Sequence, residues 1–270
     1  MSRAWTDRRP AGRLVRHLAS MTLVVVALAV FPGGCGSDEA GDTILSIDQA
    51  LAAQPGQAVR VQGMLIATDT QTLLASALLE SYPPQAGGST LALEGLDLEA
   101  LVGLSSTVER PDLARVTWSD YPVVLEGKID DGVLEVEKTP PVVEASTAEA
   151  KVRFSSAADP LMVNSTVWWV FDVKNLTAEP LELTFPTGQM GEIVFSREGV
   201  ELYRWSEGKS FIQAVTVDTL QPGRSRAIVL NDRLTLAPGD YDVTAKVTAF
   251  IGPEGSSASL PEIATIVTVR

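Results

Sequence analysis

Histidine and cysteine are almost missing from this 270-residue chain, which has one of each, His17 and Cys35. Basic residues are scarce as well: 21 Lys and Arg stand against 34 Asp and Glu, a net charge of −13. No apolar run approaches the roughly 20 residues that a bilayer-spanning helix needs. No EF-hand spacing, phosphate loop or dinucleotide fingerprint is present, and acidic residues are too plentiful for any one pair to mark a hydrolase.

The position of the two rare residues decides what their scarcity means. Residues 1–20 carry Arg3, Arg8, Arg9, Arg13 and Arg16 against one Asp7, and the apolar run Met21–Phe31 follows, then Pro32-Gly33-Gly34-Cys35. A basic start, a short apolar core and small residues before a break predict a secretory signal over residues 1–34. Cleavage after Ala27-Leu28-Ala29 is the competing reading, but it shortens the apolar core. Removal of the signal takes His17 with it and leaves 16 basic and 33 acidic residues, a net charge of −17. With Cys35 acylated, the mature chain has neither imidazole nor free thiol. That excludes Ser-His-Asp and Cys-His catalysis, zinc sites of His or Cys within one chain, and disulfides. No catalytic residue, no metal ligand and no cofactor is expected.

Downstream of the acidic tether 35–42, Ser46-Ile47-Asp48-Gln49 has the spacing of a capping box and opens a short helix that Pro55-Gly56 ends. Alternation in QAVRVQGMLIATD predicts a half-buried strand, with Gly63 marking a bulge or bend. Further strands are expected at 71–75, 90–94, 114–118, 121–130 and 132–138, with Asp130-Asp131-Gly132 as a tight turn. A bent first strand among a few others predicts a small OB-like barrel with short helices over 43–138. OB barrels that hold single-stranded nucleic acid need a basic groove with stacking aromatics. Residues 36–140 carry 17 acidic and 5 basic side chains, and their aromatics are Tyr82, Trp118 and Tyr121. Nucleic acid is therefore excluded as a partner.

Residues 139–150, with Pro140-Pro141 at their start, read as a linker. From 151 to 270 strands are expected at 151–155, 165–175, 180–185, 190–196, 200–206, 211–218, 224–231, 240–250 and 262–269. Turn signals lie between them at Asn175, Glu198-Gly199, Glu207-Gly208, Pro222-Gly223, Pro238-Gly239 and Pro253. Short strands at this spacing predict an immunoglobulin-like antiparallel β-sandwich, so the chain is all-β. In STVWWVFDVKN, Val167, Trp169, Phe171 and Val173 share the face that fills the core, with Trp168 on the other.

Three resemblances add to this reading. Cys35, directly after the small residues that end the signal core, resembles the lipobox of bacterial lipoproteins, with Pro32 where that family prefers leucine. The resemblance implies lipidation at Cys35 and a membrane partner on the extracytoplasmic face. The segment LLASALLESYPPQAGGSTLALEGLDL resembles small OB-like domains of exported bacterial proteins, in which cysteines often stand at the places of Ala75 and Ala86. The runs GQMGEIVF, YRWSEGKSFIQA, TLQPGRSRAIVL and LAPGDYDVTA resemble the BsuPI family, named for an intracellular proteinase inhibitor. Gly188-Gln189 fits its opening, Tyr203-Arg204-Trp205-Ser206 with Gly208-Lys209 and Phe211 its centre, and Pro222-Gly223 and Pro238-Gly239 its later turns. Where that family has Tyr and Asp, this chain has Gly191 and Glu192.

This resemblance implies a protein-binding domain whose partner is a protease or another envelope protein. Gln189, Tyr203, Trp205, Lys209 and Phe211 are the candidate partner-binding residues, since Tyr and Trp dominate binding hot spots. A second reading stays open for each: Trp205 and Phe211 pack across a hairpin, Ser206–Lys209 shapes a turn, and Gln189 satisfies its own loop.

Overall fold

Why the amino-terminal half closes on itself is visible in its strand pairing. The computed structural model describes residues 41, 43–107, 110, 112–253, 255 and 258–270, so the signal, Cys35 and most of the tether lie outside the described residues. Strands β1 (Ile44–Leu45), β2 (Ala58–Thr68), β3 (Thr72–Leu79), β4 (Gln85–Glu94), β5 (Leu104–Ser106), β6 (Val116–Asp130) and β7 (Val133–Lys138) form one sheet. Five of them close a ring: β2 pairs with β3, β3 with β4, β4 with β7, β7 with β6, and β6 back with β2. Only the β4–β7 step is parallel, which gives the ring the strand order of an OB-like barrel.

The long strands β2 and β6 turn the corner of the ring. Their register slips between Met64 and Ile66, one step beyond Gly63. Gly63 itself serves close approach, because a Cβ there would sit 3.0 Å from Ile47 Cδ1 on the short helix. That helix, α1 (Ile47–Leu51), has the expected capping box: Gln49 donates its N–H to Ser46 Oγ (3.3 Å), and Ser46 donates its N–H to Gln49 Oε1 (2.8 Å). Ile47 and Ala50 face the barrel core with Val59, Val61, Leu65, Leu74, Leu91 and Leu125. The expected strands 114–118 and 121–130 are one continuous strand, because Pro122 falls at the register slip and does not end the ladder. Ala75 pairs with Thr90 and Ala86 with Leu78, within the β3–β4 hairpin.

The expected linker is not one. Residues 143–146 form β8 (Val143–Ser146), which pairs with β9 (Ala150–Ser155) as an edge hairpin of the sandwich. Its alternating Val143 and Ala145 pack on the sandwich core, which an extended tether could not do. Strands β10 (Thr166–Asn175), β11 (Leu181–Phe185), β12 (Gly191–Arg197), β13 (Val200–Arg204) and β14 (Thr216–Leu220) follow. The chain then runs through β15 (Ser225–Arg233), β16 (Gly239–Val247), β17 (Phe250–Ile251), β18 (Ala258–Ser259) and β19 (Ile263–Val269).

Three antiparallel sheets, ordered β15-β10-β9-β8, β14-β11-β17-β18 and β13-β12-β16-β19, enclose one core in an immunoglobulin-like sandwich. Val167, Trp169, Phe171 and Val173 are all buried in it, as the alternation predicts. Trp169 lies 6.2 Å from Phe195 and 5.9 Å from Tyr203, ring centre to ring centre, so the two long faces meet through aromatic contacts.

Barrel and sandwich belong to one compact unit and share packing. The outer face of β10 explains Trp168: with Val170 and Val229 it packs against the barrel's own cluster. Arg60 on β2 is 2% exposed and donates from Nη2 to the carbonyls of Asp159 and Pro160, each at 2.9 Å. Arg153 returns the contact, donating to the carbonyls of Leu101 (3.2 Å) and Glu99 (2.6 Å). Among the described residues no helix is long and apolar enough to cross a membrane.

Candidate functional site

The expected partner-binding residues come together at one end of the sandwich, where β12, β13 and the segment after β13 meet the end of β15. Two carboxylates organise them. Glu192, at 5% exposure, is the only buried carboxylate among the described residues. Its Oε1 accepts the N–H of Ser206 (3.1 Å), and its Oε2 accepts the hydroxyl of Ser206 (2.5 Å) and Nε2 of Gln189 (3.1 Å). Arg204 Nη1 lies 3.4 Å from Oε2 and gives the carboxylate a cation. A buried charge is tolerable only when paired and fully hydrogen-bonded, and here four groups meet that need.

Asp232, the penultimate residue of β15, gathers the rest. Its Oδ2 accepts the hydroxyl of Tyr203 (3.0 Å) and pairs with Nζ of Lys209 (2.6 Å), while Oδ1 accepts the N–H of Arg233 (2.8 Å). Burial works against this charge, but the ammonium and the two N–H and O–H donors outweigh it and hold the carboxyl below its usual range. Burial and the same bond to Asp232 push the Tyr203 hydroxyl well above the ordinary phenol value.

Between the two carboxylates lies Trp205, 8% exposed, whose Nε1 donates to the carbonyl of Asn231 (3.0 Å). Its N–H donates to the carbonyl of Ile193 (2.9 Å), and its ring meets Phe211 at 5.7 Å with the planes 35° apart. Lys209 Nζ stands 5.1 Å from the indole, so the lysine is held by both a carboxylate and a π face.

Gly188 makes a close approach in the same corner. Its N–H donates to the carbonyl of Ile212 (2.9 Å), and a Cβ on Gly188 would lie 2.7 Å from Ile212 Cγ1. Gln189 is further fixed by its N–H to Thr187 Oγ1 (3.1 Å) and by a hydroxyl hydrogen bond from Thr248 to its carbonyl.

Gln189, Tyr203, Trp205 and Lys209 thus have their polar ends on partners inside the domain, and Phe211 is half-buried on Trp205. Sequence reasoning missed Glu192 and Asp232 as organising groups. Glu192 carried a signal, an acid directly before the apolar run Ile193-Val194-Phe195, whereas nothing local distinguishes Asp232 in LNDR. The expected strand 211–218 begins only at Thr216, because no neighbouring strand lies beside 211–215. Residues 207–215 form an irregular connection in which Ile212 is 71% exposed, more than any other large hydrophobic residue described. Among the described residues no cluster of three or more His, Cys, Asp or Glu side chains is placed to hold a metal ion.

A sandwich whose charged and aromatic corner is closed by its own hydrogen bonds is a scaffold that presents a loop. Residues 147–250 match the family model of BsuPI, the intracellular proteinase inhibitor. No curated protein matches the chain. Among solved structures, the carboxy-terminal domain of Wzt is 18% identical, with 48% of this chain and 79% of that one covered at a TM-score of 0.33. The CARDB domain of PF1109 from Pyrococcus furiosus is 18% identical, with 45% and 94% covered at a TM-score of 0.27.

Proposed function

We propose that the protein is a lipid-anchored, non-enzymatic lipoprotein on the extracytoplasmic face of a bacterial membrane, whose BsuPI domain binds and restrains a protease. The observation that carries this reading is the BsuPI match over 147–250. The geometry of that domain supports it: the motif residues brace one corner through Glu192 and Asp232 and leave residues 212–215 exposed beside it. A fold match does not by itself transfer an activity, so inhibition is the part that experiment must supply. The anchor rests on Cys35 after a signal-like segment, and the short acidic tether would hold the barrel near the membrane surface.

Titration of the purified chain against secreted and envelope subtilisin-type proteases tests the reading. Loss of protease activity at micromolar concentration supports it; full activity with no slow cleavage at a single site sinks it. In cells, Cys35→Ser is expected to move the protein from the membrane to the soluble fraction, and persistence in the membrane rules out this anchor.

One observation favours a second reading, an envelope interaction protein without inhibitory action. Gln189, Tyr203, Trp205 and Lys209 direct their polar atoms inward, as residues of a purely structural corner would.

A further inference from the structure

The connection between Phe211 and β14 has the properties of a segment made to be read by another protein's cleft. At its start Phe211 is seated on Trp205, and the carbonyl of Ile212 is held by the Gly188 N–H. At its end Thr216 joins β11 opposite Phe185. Between these fixed points, Gln213, Ala214 and Val215 are exposed, and none of them has a backbone hydrogen bond to any described residue. Val215 is 47% exposed and Val217, two places on, 50%. No charged side chain lies between Lys209 and Asp218.

We infer that residues 213–215 are the contact segment of the domain, and that the partner is a protease whose cleft takes an extended chain with small or aliphatic side chains. This rests on the proposed function above. Protease clefts pair with an extended backbone as one more strand, with main-chain hydrogen bonds giving affinity and side-chain pockets giving selectivity. The three open residues offer those backbone groups, and Ala214 and Val215 offer the side chains. Because both ends are already fixed by the sandwich, little chain entropy is lost on binding, which is what a tight inhibitor requires. The Trp205–Lys209–Asp232 corner acts as a positioning group for the segment and does not itself touch the partner.

The test is a titration of full-length chains against proteases of aliphatic and of basic preference, comparing wild type, Ala214→Asp, and Ile266→Asp on β19 as a surface control. Ala214→Asp is expected to weaken inhibition by about 100-fold, as loss of a hot-spot contact does, and Ile266→Asp to leave it unchanged. Thermal melts confirm that both variants fold. In the wild-type complex, the amides of 213–215 are expected to exchange more slowly than in the free chain. Inhibition by wild type that survives Ala214→Asp, with unprotected loop amides, overturns the assignment of the segment and leaves the proposed function standing. Absence of inhibition by wild type overturns both.

Discussion

Glu192 and Ser206 stand 14 residues apart in sequence, yet Ser206 occupies both oxygens of the Glu192 carboxylate, one with its N–H and one with its hydroxyl. This bond clamps the chain just past β13 to the start of β12, so the chain leaves the sheet for 207–215 at one fixed point. Glu192→Ala removes a buried acceptor from Ser206, Gln189 and Arg204 together. It is expected to cost about 2–4 kcal/mol of unfolding free energy, the range for charge-assisted bonds whose donors are then stranded. Urea denaturation measures it, and a loss below about 0.5 kcal/mol, typical of surface substitutions, would show that the carboxylate does not hold the corner.

Asp232 gives the same corner an acid limit. In unfolded chain an aspartate titrates near pH 3.9, and in the folded protein Lys209, Arg233 and Tyr203 hold Asp232 below its ordinary value despite burial. Its stabilising contribution is therefore fully present above about pH 4 and is lost as pH falls through the lower folded value. Asp232→Asn is expected to flatten that part of the stability–pH curve, read from melts between pH 5 and 2.5. Asp172 works with the opposite sign, since burial raises its carboxyl. Its contribution is present at low pH and lost as pH rises through the raised folded value, so Asp172→Asn is expected to stabilise the protein at pH 7.

Arg60 couples the two halves of the molecule. Arg60, 2% exposed, donates from its guanidinium to the carbonyls of Asp159 and Pro160 in the connection between β9 and β10. Arg60→Ala takes the donor from both part-buried acceptors, at a cost of about 1–3 kcal/mol. Calorimetry is expected to resolve two transitions, barrel and sandwich, where wild type shows one. A single transition at an unchanged midpoint would mean that the Val124 N–H on the Ala157 carbonyl (3.0 Å), Arg153 and the packing of Trp168 hold the seam without it.

Local signals in the sequence were enough for most of the fold. The Ser46–Gln49 spacing is a complete capping box in the structure, and the alternation through Trp169 and Phe171 does mark the core face. The failures have a common cause, which is that pairing partners are not local. Val143–Ser146 reads as linker because one β-former among small and polar residues, just after two prolines, carries little strand signal until β9 lies next to it. Residues 211–215 read as strand because Phe, Ile and Val are β-formers, but no strand lies alongside. In the candidate site, the aromatic and basic residues were legible through the family motif, whereas their roles were not. Which way Tyr203 and Lys209 point depends on Asp232, more than 20 residues further along the chain.

The most direct measurement is photo-crosslinking in cells from a probe at Gln213 in the full-length chain, followed by identification of the captured protein. The expected result is an exported protease, joined through its substrate cleft. Repeated capture of a non-proteolytic envelope protein, with no protease among the products, would contradict the proposed function.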